Sequence, residues 1–188
     1  MHLANPMRMR ALEALGLRRA QVRLMVARGD LVELARGLYA SKGFEASPHH
    51  ALALVAARVP HAIVCLLSAL AFHGLTTQQP AEVWIAVPPR TWRPKLDWPA
   101  LRVVQASGAR WTEQVEVHTV EGVQVKVYGV EKTVIDCFRF RNKIGLDVAL
   151  EALREALRTR RSTPSKLLML AKGQGVAASF RPYIEALS

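Results

Sequence analysis

The stretch Arg18-Arg19-Ala20-Gln21-Val22-Arg23-Leu24-Met25-Val26-Ala27-Arg28-Gly29-Asp30-Leu31-Val32-Glu33-Leu34-Ala35-Arg36-Gly37-Leu38-Tyr39-Ala40 decides the reading of the fold. Val22, Met25 and Val26 stand at i, i+3 and i+4, which gathers them on one face of a helix running from Arg18 to Arg28. Gly29 follows the last turn, where a left-handed cap costs glycine least. Leu31, Val32 and Leu34 read as a strand, Arg36-Gly37 as a turn, and Leu38-Tyr39-Ala40 as the returning strand. Upstream, Met7 to Leu15 reads as a short helix with Leu12 and Leu15 inward, ended by Gly16. Helix, turn, helix and small hairpin is the layout of a winged helix-turn-helix. The spacing predicts one small core shared by Leu12, Leu15, Val22, Met25, Val26 and Leu34. Such modules usually pack a third helix. Only Met1 to Pro6 precedes the first helix here, so that support is expected to be vestigial or to come from the second domain or a neighbouring chain.

Arg18, Arg19, Gln21 and Arg23 face away from the apolar stripe, in the turns that a recognition helix presents to a major groove. Arginine reads guanine bidentately and glutamine reads adenine. Arg36, with Gly37 at the wing tip, is placed to clamp a phosphate or enter a minor groove. The plainer alternative is an amphipathic helix with a solvated basic face.

Around this segment, the 188 residues are 51% hydrophobic and 22% charged, which excludes a disordered or collagen-like chain. Lys and Arg number 26 against 15 Asp and Glu, and the net charge of +11 favours an anionic partner. No window is long and clean enough to span a bilayer. The N-terminus has no apolar signal region, so a cytoplasmic location is expected. Cys65 and Cys137 lie far apart in apolar surroundings and are expected to be reduced, buried and unreactive.

The organisation expected is α+β: a winged helix-turn-helix over 1–42, then a mixed α/β domain over 48–188 with C-terminal helices. Helices are expected at His49 to Arg58, Cys65 to Phe72, Glu131 to Phe140, Asp147 to Arg158, Thr163 to Lys172 and Arg181 to Leu187. Strands are expected at Val83 to Val87, Leu101 to Gln105, Val115 to Val120 and Val123 to Tyr128. Glu121-Gly122 marks a two-residue hairpin, and Arg90 to Pro99 a basic loop.

Other constellations read more plainly. His49, His50, His61 and His73 lack metal-ligand spacing, and His73 before Gly74 suits a helix C-terminus. Lys132 and Asp136, at i and i+4, read as a helix-surface ion pair, with Glu131 favouring the N-terminus of the same helix. The alternative is a metal-dependent nucleic-acid-processing enzyme using Glu131, Lys132 and Asp136. A basic protein-interaction module without DNA specificity is a third reading. Arg139, Arg141, Lys143 and Arg158, Arg160, Arg161 form two clusters that suit solvated faces or helix C-termini. No phosphate-loop, dinucleotide or hydrolase motif is present.

Several segments resemble the AbiEi-type antitoxins of type IV toxin–antitoxin systems. They are the hairpin Leu31 to Ala40, Ser68-Ala69-Leu70-Ala71-Phe72-His73-Gly74-Leu75-Thr76, Glu82-Val83-Trp84-Ile85-Ala86, Glu131 to Arg139 and Ala149 to Leu157. Their order covers nearly the whole chain. The segment before Met7 is shorter than the family's first helix, and Arg18 stands where a proline or cap residue is usual. The resemblance implies a cytoplasmic repressor of its own operon that counters a nucleotidyltransferase-like toxin and needs no cofactor, metal or catalysis. Its double-stranded DNA contacts would fall on Arg18, Arg19, Gln21, Arg23, Arg36 and Gly37.

Overall fold

The computed structural model describes residues 6–91 and 94–187. In chain order the elements are β1 (Met7–Arg8), α1 (Met9–Ala14), α2 (Arg19–Ala27), β2 (Leu31–Ala35), β3 (Leu38–Ser41), α3 (His50–Arg58), β4 (Ile63–Val64), α4 (Leu66–His73) and β5 (Val83–Val87). There follow β6 (Leu101–Gln105), α5 (Ala109–Thr112), β7 (Val115–Val120), β8 (Val123–Tyr128), α6 (Val130–Arg139), α7 (Arg141–Ile144), α8 (Leu146–Arg158), α9 (Pro164–Gly173) and α10 (Ala177–Glu185). The chain divides into two units. Residues up to His61 group with Val117–Val125, and Ala62–Glu116 groups with Lys126 onward.

The first unit has the helix–helix–hairpin order of a winged helix-turn-helix. Leu12, Val22 and Leu31 are fully buried together, with Met25, Val26, Leu17 and Tyr39 packed around them. Two expected members are absent. Leu15 is 59% exposed because α1 stops at Ala14 and Gly16, at φ +86°, turns the chain. Leu17 takes the inward place. In β2 Leu31 is fully buried, whereas Leu34, at the irregularity in the pairing with β3 between Glu33 and Ala35, is only half-buried. Met7 and Arg8, expected in a helix, instead pair antiparallel with Tyr39 and Leu38, giving sheet order β1-β3-β2. Support for the helix pair comes from within the chain, since α3 packs on β2.

The β7–β8 turn also groups with this unit. Glu121 (φ +51°) and Gly122 (φ +75°) are both left-handed, as the two central residues of a type I′ hairpin must be. A non-glycine residue rarely sits there. The Glu121 carboxylate offsets that cost by accepting hydrogen bonds from the Ser47 amide (2.8 Å) and His50 Nδ1 (2.7 Å).

The five-stranded sheet has the order β6-β5-β4-β8-β7, with β5 parallel to β6, β4 antiparallel to β5, and β4 parallel to β8. The two-residue β4 is too short to show a pattern in sequence, yet it occupies the middle. Helix α6 is buried from Val130 to Phe138 except at Glu131. It packs against α4, α8, α9 and α10. Phe138 meets Phe180 edge-on at 4.9 Å. The last helix begins at Ala177, earlier than its sequence suggests. Burial of Phe180 and Ile184 at i and i+4 holds the helix through Pro182.

Two outcomes follow from the first unit. Leu12→Ala should destabilise α1 and α2 by about 2–5 kcal/mol, whereas Leu15→Ala should change stability by under about 0.5 kcal/mol. Amide hydrogen exchange in these helices reads both, and equal effects would contradict the assigned core. Glu121 gives a pH signature. Burial pushes its carboxyl up, but the bonds from His50 and Ser47 outweigh burial and hold it below its ordinary 4.5. A depressed carboxyl stabilises the fold above its unfolded value and loses that contribution as pH falls through the folded one. The melting temperature gap between the wild type and Glu121→Gln should therefore be widest above about pH 4.5 and shrink below it. A gap independent of pH would show that the carboxylate charge contributes nothing.

Candidate functional site

The first site is built by α2 and the hairpin. Arg18, Arg19, Gln21, Arg23 and Arg36 are all exposed. Arg19, Arg23, Arg36 and Gly37 line one open recess with Met9, Val26, Glu33 and Tyr39. Arg18 and Gln21 are not among its walls. They begin the helix instead, where the Gln21 side-chain oxygen accepts the Arg18 backbone N–H at 2.8 Å. Two carboxylates lie among these cations. Glu13 accepts from Arg19 Nε at 2.9 Å. Glu33 accepts the Gly37 amide at 2.8 Å and so closes the wing turn. Gly37 holds φ +76°, a conformation that favours glycine. The Tyr39 phenol is pushed up by burial and then by the neighbouring Glu33.

The second site is a cavity of about 100 Å3 in the second unit. Lys132, Asp136 and Arg139 stand at i, i+4 and i+7 of α6, on one face, and all three line it. Lys132 and Asp136 were expected on the surface. They are buried instead, at 1% and 6% exposure, and ion-paired to each other. The difference arises because α6 is enclosed on nearly all sides, so even its charged stripe has little open solvent to face. The Lys132 ammonium also lies 4.4 Å from the centre of the Tyr128 ring. The Tyr128 hydroxyl reaches the carbonyl oxygens of Arg110 (3.2 Å) and Trp111 (3.1 Å), tying α5 to the cavity rim. Burial pushes the Asp136 carboxyl above the usual carboxylate range, against the pull of Lys132 and Arg139. The same burial raises the thiols of Cys65 and Cys137 and the Tyr128 phenol, so both cysteines, free and buried, are poor nucleophiles.

Glu131 does not line this cavity. Asp136 lies five positions after it, which turns the two carboxylates well apart on a helix, so they do not share one metal ion. Among the described residues no group of three or more His, Cys, Asp or Glu is placed to hold a metal ion.

The histidines and later arginines have structural positions. His50 bonds Glu121. His73 is buried at the end of α4, where Nε2 meets the Tyr128 carbonyl oxygen at 2.7 Å. Arg161 donates to the His73 carbonyl (2.6 Å), Arg141 to that of Phe138 (2.8 Å) and Arg139 to that of Gln174 (2.7 Å). Each satisfies a carbonyl at or near a helix C-terminus. Arg158 pairs with Glu155 at 2.6 Å. Sequence reasoning separated Arg139 from Lys132 and Asp136, although their spacing alone puts them on one face. Arg110 and Tyr128 carry no local signal.

A basic helix–helix–hairpin unit joined to a mixed α/β unit is the class of molecule this fold defines. The sequence profile of the AbiEi antitoxin C-terminal domain matches residues 62–183, and the chain belongs to the AbiEi antitoxin family, the antitoxins of toxin–antitoxin systems. Its fold is similar to that of the RV2827C protein from Mycobacterium tuberculosis, with a TM-score of 0.59 over 90% of this chain and 67% of that one at 18% identity. A search of curated proteins gave no match. Among the described residues no helix is long and apolar enough to cross a membrane.

The buried pair predicts a non-additive outcome. Lys132→Met alone removes the closest partner of a buried carboxylate, leaving it the more distant Arg139, and should cost up to about 3–5 kcal/mol. The double substitution Lys132→Met with Asp136→Leu should recover most of that loss. Chemical denaturation of both variants checks this, and a double variant as unstable as the single one would show that the pair is not the cause.

Proposed function

We propose that this antitoxin is a cytoplasmic DNA-binding repressor of its own operon, with residues 1–42 as the DNA-binding module and 48–188 as the antitoxin domain. The observation that carries the reading is the convergence of Arg19, Arg23, Arg36 and Gly37 on one recess between α2 and the hairpin. The net charge of +11 supports an anionic partner. In this reading α2 enters the major groove of double-stranded DNA. Arg18, Arg19 and Arg23 face bases and phosphates there, and Arg36 at the wing tip meets the backbone. Gln21 contributes by fixing the start of α2 through its bond to the Arg18 amide. The toxin it counters is nucleotidyltransferase-like, as the family likeness suggests, and no catalytic step belongs to the antitoxin.

A salt titration against the protein's own promoter and a scrambled duplex tests the proposal. Arg36→Ala should weaken both duplexes alike and reduce the slope of log affinity against log salt by about one unit. Arg23→Ala should reduce discrimination between the duplexes by about 1–3 kcal/mol. Equal binding of the wild type to both duplexes at physiological salt would overturn the repressor reading.

A further inference from the structure

The cavity of the second unit is not absorbed by DNA binding, and its walls are unbalanced in charge. Lys132, Arg139 and Arg110 line it against the single carboxylate of Asp136. That carboxylate is already committed to Lys132, with Arg139 Nε 3.8 Å from its other oxygen. Asp136 is thus shared by Lys132 and Arg139, and the walls keep an excess of positive charge. Arg139 Nε is buried and has no hydrogen-bond partner in the protein, which is a costly state for a cationic donor. Helix α4 adds to the imbalance. Its first residue, Leu66, and its N-cap, Cys65, line the same cavity, and no side chain caps its first turn. The positive end of the helix dipole therefore opens there. Leu66 is held at φ +45° while fully buried, a left-handed conformation that a leucine adopts only when packing enforces it.

A metal cation would meet three like charges in this space. A neutral apolar ligand would leave the excess positive charge of the walls unbalanced. About 100 Å3 holds several waters or one tetrahedral oxyanion, and it is too small for a nucleoside. Apolar walls from Leu66, Val104 and Phe140 keep the local dielectric low and strengthen attraction for a charge of the right sign. We propose that this cavity is a binding site for one phosphate-type dianion, held by Arg139 and Lys132 from α6, by Arg110 at the rim and by the N-terminus of α4. The dianion is either free inorganic phosphate or the phosphate end of a nucleotide whose remainder stays outside the cavity.

Calorimetric titration of the full chain with inorganic phosphate, and separately with adenosine monophosphate, tests the site at matched ionic strength in sodium chloride. Saturable one-to-one binding of phosphate is expected, with a melting temperature raised above that in chloride alone. Arg110→Gln changes an exposed residue and should fold normally. Arg110→Gln and Arg139→Gln should each weaken binding by about tenfold or more, the loss of one charge-assisted hydrogen bond. Arg36→Ala, in the first unit, should leave it unchanged. Tighter binding of the monophosphate than of free phosphate would identify the nucleotide end as the ligand, and the reverse order the free ion. No saturable binding of either probe overturns the proposal, as does binding that survives both substitutions or disappears in Arg36→Ala. A site that fails while promoter binding persists would leave the repressor reading standing.

Discussion

Helix α6 is enclosed by α4, α8, α9 and α10, and the second unit depends on that enclosure. A helix buried almost all round is normally apolar all round. This one carries Lys132, Thr133 and Asp136 inside, so every polar group on it has to find a partner within the protein. Lys132 and Asp136 satisfy each other, and the Thr133 hydroxyl donates to the Tyr128 carbonyl at 3.0 Å. His73 reaches the same carbonyl from α4, and Arg161 in turn holds the end of α4. The polar bonds thus run outward from α6 to the end of β8, the end of α4 and the turn after α8. A buried ion pair is a poor source of net stability, because desolvation offsets most of its attraction. Its value here is in fixing which face of α6 looks into the cavity.

In the first unit the balance of charges is arranged differently. Its arginines are exposed, and surface ion pairs such as Arg19 with Glu13 are worth little in water. Glu13 and Glu33 act mainly by geometry. One restrains Arg19, and the other closes the turn that carries Arg36. Restraint of this kind lowers the side-chain entropy lost when a rigid partner is bound. The two carboxylates also lower the net positive potential around the recess.

Most regular elements longer than a turn were readable from sequence because their residues obey one period, the last helix being the exception. The strands Val83–Val87, Leu101–Gln105, Val115–Val120 and Val123–Tyr128 have the bounds expected, and α8 starts one residue before its expected position. The short elements β1, β4, α5 and α7 span two to four residues, less than a period needs to declare itself. The hairpin and the helix before it were legible; of the basic and polar residues expected to act together, Arg19, Arg23 and Arg36 line one recess, and Arg18 and Gln21 do not. The cavity was not. Burial of Lys132 follows from what packs over α6, which no local pattern around Lys132 encodes, and Arg110 and Tyr128 come from distant parts of the chain.

Leu66 has a consequence for how the second unit tolerates change. A residue held left-handed at about 1–3 kcal/mol above its relaxed state acts as a compressed spring whose restraint is distributed over the surrounding core. Substitutions that loosen that core, even far from the cavity, give Leu66 room to return to an ordinary backbone conformation. The start of α4 would then shift while the sheet and the outer helices persist. The cavity wall is therefore sensitive to changes in the core around it and not only to changes in its own lining.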